Sequence, residues 1–110
     1  MNATHYIDGR RAAGESAETI DVIDPSDGQR FGSIARGTAA DVDAAVRSAR
    51  RAMGENFDGP WGGTTALERG RLLAKLGAAV LQHHEELAQL EARDTGKALR
   101  VARNDATALA

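Results

Sequence analysis

A histidine pair, a lysine behind a glycine and a group of loop glycines are the residues whose types could support chemistry in this chain. His83 and His84 are adjacent. On a helix, neighbouring residues point in different directions, so they do not form the i, i+4 pair that a zinc-type site uses. The spacing predicts one histidine at an interface or core edge and one in solvent. Lys97 closes the run Asp94-Thr95-Gly96-Lys97, and a single preceding glycine makes no cradle of N–H groups for a phosphate. Helix capping is the reading, with Gly96 in a left-handed C′ position. Gly59, Gly62 and Gly63 sit in a loop that follows no strand, with spacing unlike Gly-x-Gly-x-x-Gly. The chain has no cysteine, which removes disulfides, thiolate metal sites and a cysteine nucleophile together. Arg69 falls on an apolar helix side, four residues before Leu73, where a buried guanidinium needs a partner.

The elements that hold these residues follow from periodicity. Thr65-Ala-Leu-Glu68 reads as a capping box. After it, Leu73, Leu76, Val80, Leu87 and Leu90 recur at helical steps, with Leu72 and Leu81 widening the stripe. One long helix over about 65–94 is expected, with Gly96 beyond its end. Thr38-Ala-Ala-Asp41 opens a shorter helix, about 38–53, carrying Val42, Ala45, Val46, Ala49 and Met53 and stopped by Gly54. Leu99, Ala102, Ala106 and Leu109 give a third helix over about 97–110. Strands and turns fill about 5–36. His5-Tyr6-Ile7, the turn Asp8-Gly9 and Arg10-Arg11-Ala12 read as a hairpin, Thr19 to Ile23 is β-branched and alternating, and Phe31 to Ile34 makes a third strand. Asp24-Pro25-Ser26-Asp27-Gly28 is a turn between them. Trp61, the only tryptophan, lies in the loop between the first two helices and is expected to plug their crossing rather than to bind a ligand.

Composition limits what such a chain can be. With 110 residues, 42% apolar content, 4% aromatic content and much alanine, an independent core is thin, because small side chains bury little area at about 25 cal/mol per Å². A net charge of −2 gives no electrostatic reason for nucleic acid or an anionic membrane as partner. No apolar run reaches bilayer length, and the N-terminus lacks the pattern of a signal peptide, so a cytoplasmic protein is expected. The final apolar stripe lacks a stop signal, which reads as a truncated chain. Alone, it should expose the stripe through Leu73, Leu76 and Val80 and tend to associate.

Taken in order, these segments resemble the N-terminal part of an aldehyde dehydrogenase. The resemblance is carried by Tyr6-Ile-Asp-Gly-Arg10, Ile23-Asp-Pro-Ser-Asp-Gly28, Asp41-Val-Asp-Ala-Ala-Val46 with Ala49-Arg50, Trp61, Glu68-Arg69 with Leu72-Leu73, and Leu87-Ala-Gln-Leu-Glu91 leading into Asp94-Thr-Gly-Lys97. Asp24 stands where the family commonly has Asn. Ala98 replaces a common Pro, a slight similarity to the betaine-aldehyde branch. The resemblance implies an α+β fragment, short antiparallel strands then three helices, of a larger α/β fold. It implies an enzyme that oxidises an aldehyde to its acid with NAD or NADP, by a cysteine thiolate, an oxyanion-stabilising asparagine and a water-activating glutamate. Those groups lie beyond the matched region in the family, so residues 1–110 alone should be inactive. It also implies a homo-oligomeric parent. Some members bind a monovalent cation through backbone carbonyls beside the Asn-Pro turn and an Asp near the following helix end, positions that correspond to Val22, Ile23 and Asp94. The competing reading from the residues is a non-catalytic helical scaffold protein that oligomerises through its long amphipathic helix.

Overall fold

The computed structural model describes residues 2–110. Its elements run β1 (Asn2–Ala3), β2 (His5–Ile7), β3 (Arg10–Ala12), β4 (Thr19–Ile23), β5 (Arg30–Ala35), α1 (Ala39–Met53), α2 (Ala66–Gln82), α3 (His84–Thr95) and α4 (Leu99–Leu109). They fall into two compact units. One holds the chain up to Val22 together with Phe31–Thr64, the other Ile23–Arg30 with Thr65–Ala110.

In the first unit, β2 and β3 pair antiparallel, His5 opposite Ala12 and Ile7 opposite Arg10. Asp8 and Gly9 both take positive φ, 59° and 73°, the geometry a two-residue hairpin turn demands. Strand β5 lies between β1 and β4. Its pairing with β1 is parallel, Asn2 opposite Ser33, whereas the sequence suggested antiparallel strands only. A two-residue edge strand carries too little pattern to be read from composition. Arg36 N–H donates to the Glu18 carbonyl at 2.9 Å, fixing β4 and β5 as an antiparallel pair. Helix α1 starts with a complete capping box: Thr38 receives the Asp41 N–H, and Asp41 accepts from the Thr38 backbone. It ends at Gly54, φ 75°. The glycine-rich loop then folds back on the last turn, Gly59 donating to Met53 and Trp61 and Gly62 to Ala52. A side chain at Gly62 would overlap the Met53 carbonyl. Trp61 keeps 40% of its surface exposed, so backbone hydrogen bonds secure this loop more than the indole does.

In the second unit, the Thr65–Glu68 capping box opens α2. The single helix expected over 65–94 is two helices. The chain breaks at His83, φ −103° and ψ 14°, and α3 begins at once. No Gly or Pro marks the break; the cause lies in tertiary contact. The His84 ring meets the Arg103 carbonyl (2.8 Å) and the Thr107 hydroxyl (3.0 Å) on α4. His83 stays exposed beside Glu86, so the division of labour expected for this pair holds. Helices α3 and α4 meet through Ala88, Ala102 and Ala106, with Leu87, Ala92 and Leu99 around them. Among the described residues, no large side chain is fully buried.

A core of alanines sets helices close together and leaves no room for growth. Ala88→Leu, at a position with no exposed surface, should lower the urea-unfolding free energy by about 1–3 kcal/mol. An unchanged or raised midpoint would show that α3 and α4 are not closely packed.

Candidate functional site

Of the segments singled out in sequence, the Asp24 turn and the Gly96 end of α3 meet within the second unit. The turn builds itself: the Asp24 carboxylate accepts from Ser26 N–H (2.9 Å) and Ser26 hydroxyl (2.6 Å), and Gly28 closes it at φ 71° with a bond back to the Asp24 carbonyl (2.8 Å). The other Asp24 oxygen accepts from the Arg93 guanidinium at 3.2 Å. The Ser26 bonds, then Arg93, hold this carboxyl below its ordinary value against the opposing effect of burial. Beside it, Gly96 sits in the left-handed region (φ 72°, ψ 8°) and bonds to the Ala92 carbonyl. Its missing Cβ also matters sterically, because that atom would lie 2.9 Å from the Pro25 ring. Gly96 is thus required both by the cap and by the turn packed on it.

Lys97 is committed elsewhere. Its Nζ donates to Glu91 (2.6 Å) and Asp105 (2.9 Å), which raise its pKa. An ammonium satisfied by two carboxylates is a bridge from α3 to α4, not an anion receptor. The same two helices are joined by Arg103, which donates to both oxygens of Glu85 at 2.8 and 2.9 Å. That bidentate pair, with Gln89 second, lowers Glu85 to about 2.

Val22 and Ile23 form the last two residues of β4, Val22 half-buried and Ile23 exposed, and Asp94 is exposed in the last turn of α3. The Asp24–Arg93 ion pair joins the chain neighbours of Ile23 and Asp94. Sequence reading missed this contact, because 69 residues separate the partners and no local pattern links them. Arg69 is half-buried on α2. Among the described residues, no group of three histidine or carboxylate side chains is placed to hold a metal. The loop glycines do not fit a dinucleotide either: the N–H groups of Gly59, Gly62 and Gly63 are all bonded to carbonyls of the chain itself. An open apolar groove of about 350 Å³ on α1 is lined by Val46, Ala49, Arg50, Met53, Gly54 and Glu55, with no nucleophile. Among the described residues, no helix is long and apolar enough to cross a membrane.

The polar side chains at this turn and helix end, Asp24, Arg93 and Lys97, are thus paired within the chain itself. The aldehyde dehydrogenase family model matches residues 12–110, and the chain belongs to that family. It is 53% identical to an aldehyde dehydrogenase from Burkholderia cenocepacia, TM-score 0.87, over 96% of this chain and 21% of that one. An NAD-dependent aldehyde dehydrogenase from Sinorhizobium meliloti superposes with TM-score 0.90 at 32% identity, over 97% and 21%. Betaine aldehyde dehydrogenase from Staphylococcus aureus, in complex with NAD+, matches at 32% identity and TM-score 0.86, over 94% and 20%. The chain therefore spans about a fifth of the length of these structures.

A depressed carboxyl stabilises the folded state above its ordinary value of 4.5 and loses that contribution as pH falls through about 2. The Glu85 side-chain carboxyl ¹³C signal should accordingly titrate near 2 in the wild-type chain and move up towards 4.5 in Arg103→Gln. A signal that titrates alike in both would remove Arg103 as the main cause.

Proposed function

We propose that residues 1–110 are the leading segment of an NAD(P)-dependent aldehyde dehydrogenase that oxidises an aldehyde to a carboxylic acid. In this reading the segment is structural, and the cofactor and the reacting groups are held by the remainder of the parent. The observation that carries it is the match over almost the whole chain, at 53% identity, to a fifth of a solved aldehyde dehydrogenase. The exposed leucines of α2 support it. Leu73 and Leu76 keep 61% and 59% of their surface exposed, although fully burying a leucine is worth about 1.5–3 kcal/mol. Such a face fits burial against a parent's nucleotide-binding domain. It equally suits association of copies, and a homo-oligomeric, cytoplasmic parent acting on an aldehyde is part of the proposal.

The test is to read the coding sequence beyond Ala110 and express the encoded protein. Aldehyde-dependent reduction of NAD or NADP at 340 nm should appear with the long protein over a panel of aliphatic, aromatic and amino aldehydes. Residues 1–110 alone should give no turnover above buffer. Reduction by residues 1–110, or none by the long protein with either cofactor, would sink the reading.

The same reading extends to a monovalent cation held by the Val22 and Ile23 carbonyls and the Asp94 carboxylate. Oxygen donors at a strand end and the partial negative charge at a helix C-terminus suit a hard cation. Potassium or sodium chloride should raise the melting temperature of the long protein relative to choline chloride at equal ionic strength, and Asp94→Asn should abolish that difference. Equal shifts in wild type and variant would discard the site.

A further inference from the structure

The first unit holds one polar atom whose chemistry is unfinished. The Nε2 atom of His5 is buried and has no hydrogen-bond partner, although buried polar groups are nearly always paired. It lies 3.9 Å from the Asp41 carboxylate, a side chain with only 10% of its surface exposed. Gly14 and Gly37 wall the ring. A Cβ at Gly14, where φ is 91°, would stand 3.1 Å from Nε2, and one at Gly37 would stand 3.6 Å from the ring carbon Cε1. The site is thus shaped around an imidazole, and the chain leaves the imidazole's far nitrogen facing a carboxylate.

We propose that the His5–Asp41 contact is a proton-dependent latch that seats the β2–β3 hairpin on the start of α1. A neutral ring presents either a lone pair towards a carboxylate or an N–H that is too distant to bond well. Protonation supplies a cation and a donor together, so the contact becomes a charge-assisted hydrogen bond after a small approach. Asp41 stands ready as the acceptor. The Thr38 backbone and hydroxyl, and then the Glu15 N–H, hold its carboxyl below the ordinary range, so it stays charged where imidazoles ordinarily titrate, near about 6.5.

Asp41 is the charged group that α1 turns towards the ring. The segment after β3 contributes Gly14 and the Glu15 N–H, which is bonded to Asp41 itself at 3.1 Å. Gly37 faces the ring from the segment before α1, and across the hairpin the partner of His5 is Ala12. At the hairpin tip the Asp8 carboxylate accepts from Ser48 (3.0 Å) and Arg51 (3.1 Å) on α1. That second attachment does not involve an imidazole and holds at either protonation state. Because the latched state binds an extra proton, it is favoured at lower pH and weakens as that proton is lost.

Amide hydrogen exchange in the full chain at pH 5.5 and 7.5, corrected for intrinsic rates, reads the latch at the Glu15 and Thr38 N–H groups, both bonded to Asp41. Protection should be about threefold to tenfold higher at pH 5.5 in the wild type, the range expected of a part-exposed ion pair or somewhat better. It should lose this dependence in His5→Gln, and also in Asp41→Asn, which keeps an acceptor without the charge. In the wild type, the His5 ring ¹⁵N signals and the Glu15 protection should follow one titration curve, a readout that needs no variant to fold. Flat wild-type protection, two unrelated curves, or a pH response retained in His5→Gln would overturn the latch.

Discussion

The dominant constraint on this molecule is that its buried core is made of alanine. Ala88, Ala102 and Ala106 bring α3 against α4, and a methyl group removes little apolar area from water at about 25 cal/mol per Å². What fixes the helices is therefore directional. Arg103–Glu85 and Lys97–Glu91/Asp105 tie α3 to α4, and His84 adds a third tie. The price of close approach is an intolerance of size, seen again at Gly96, where the Pro25 ring fills the space of a side chain.

The larger apolar side chains are left outside that core. Leu67, Leu72, Leu73, Leu76 and Leu81 on α2, and Val42 and Val46 on α1, remain largely exposed. Scattered surface leucines need no explanation, but a row on successive turns of one helix forms a face. Family membership gives that face a physical sense. The segment matches a fifth of its relatives, and within it the leucines of α2 contribute little burial, so caps and ion pairs carry more of the local order.

Legibility in the sequence followed the range of the interaction. Both capping boxes, the Asp8-Gly9 hairpin, the Asp24–Gly28 turn and the αL position of Gly96 are local, each set by residues within about four positions, and all were readable. The break at His83 was not. It contains no helix breaker, and it depends on contacts between His84 and residues on α4, where long-range packing overrides a continuous helical pattern. The parallel pairing of β1 with β5 and the Arg93–Asp24 pair escaped for the same reason. At the candidate site, sequence placed Asp94, Gly96 and Lys97 at a helix end, but the ion pairs that engage Lys97 and Asp24 required the fold.

Those engagements decide what the segment can do chemically. A group takes part in catalysis or binding only if its donors and acceptors are available to a substrate. Here the lysine ammonium is held by two carboxylates, the loop glycine N–H groups by helix-end carbonyls and their own loop, and the Asp24 carboxylate by a hydroxyl, an amide and a guanidinium. Each would have to break an internal bond before meeting a ligand, and a polar group left unpaired by such a rearrangement costs about 1–3 kcal/mol. Evolution of a reaction centre at these residues would therefore compete directly with the interactions that replace a hydrophobic core. The imidazole of His5 differs because its far nitrogen is buried but not yet bonded, which makes protonation, rather than ligand binding, the event that the local structure is arranged to feel.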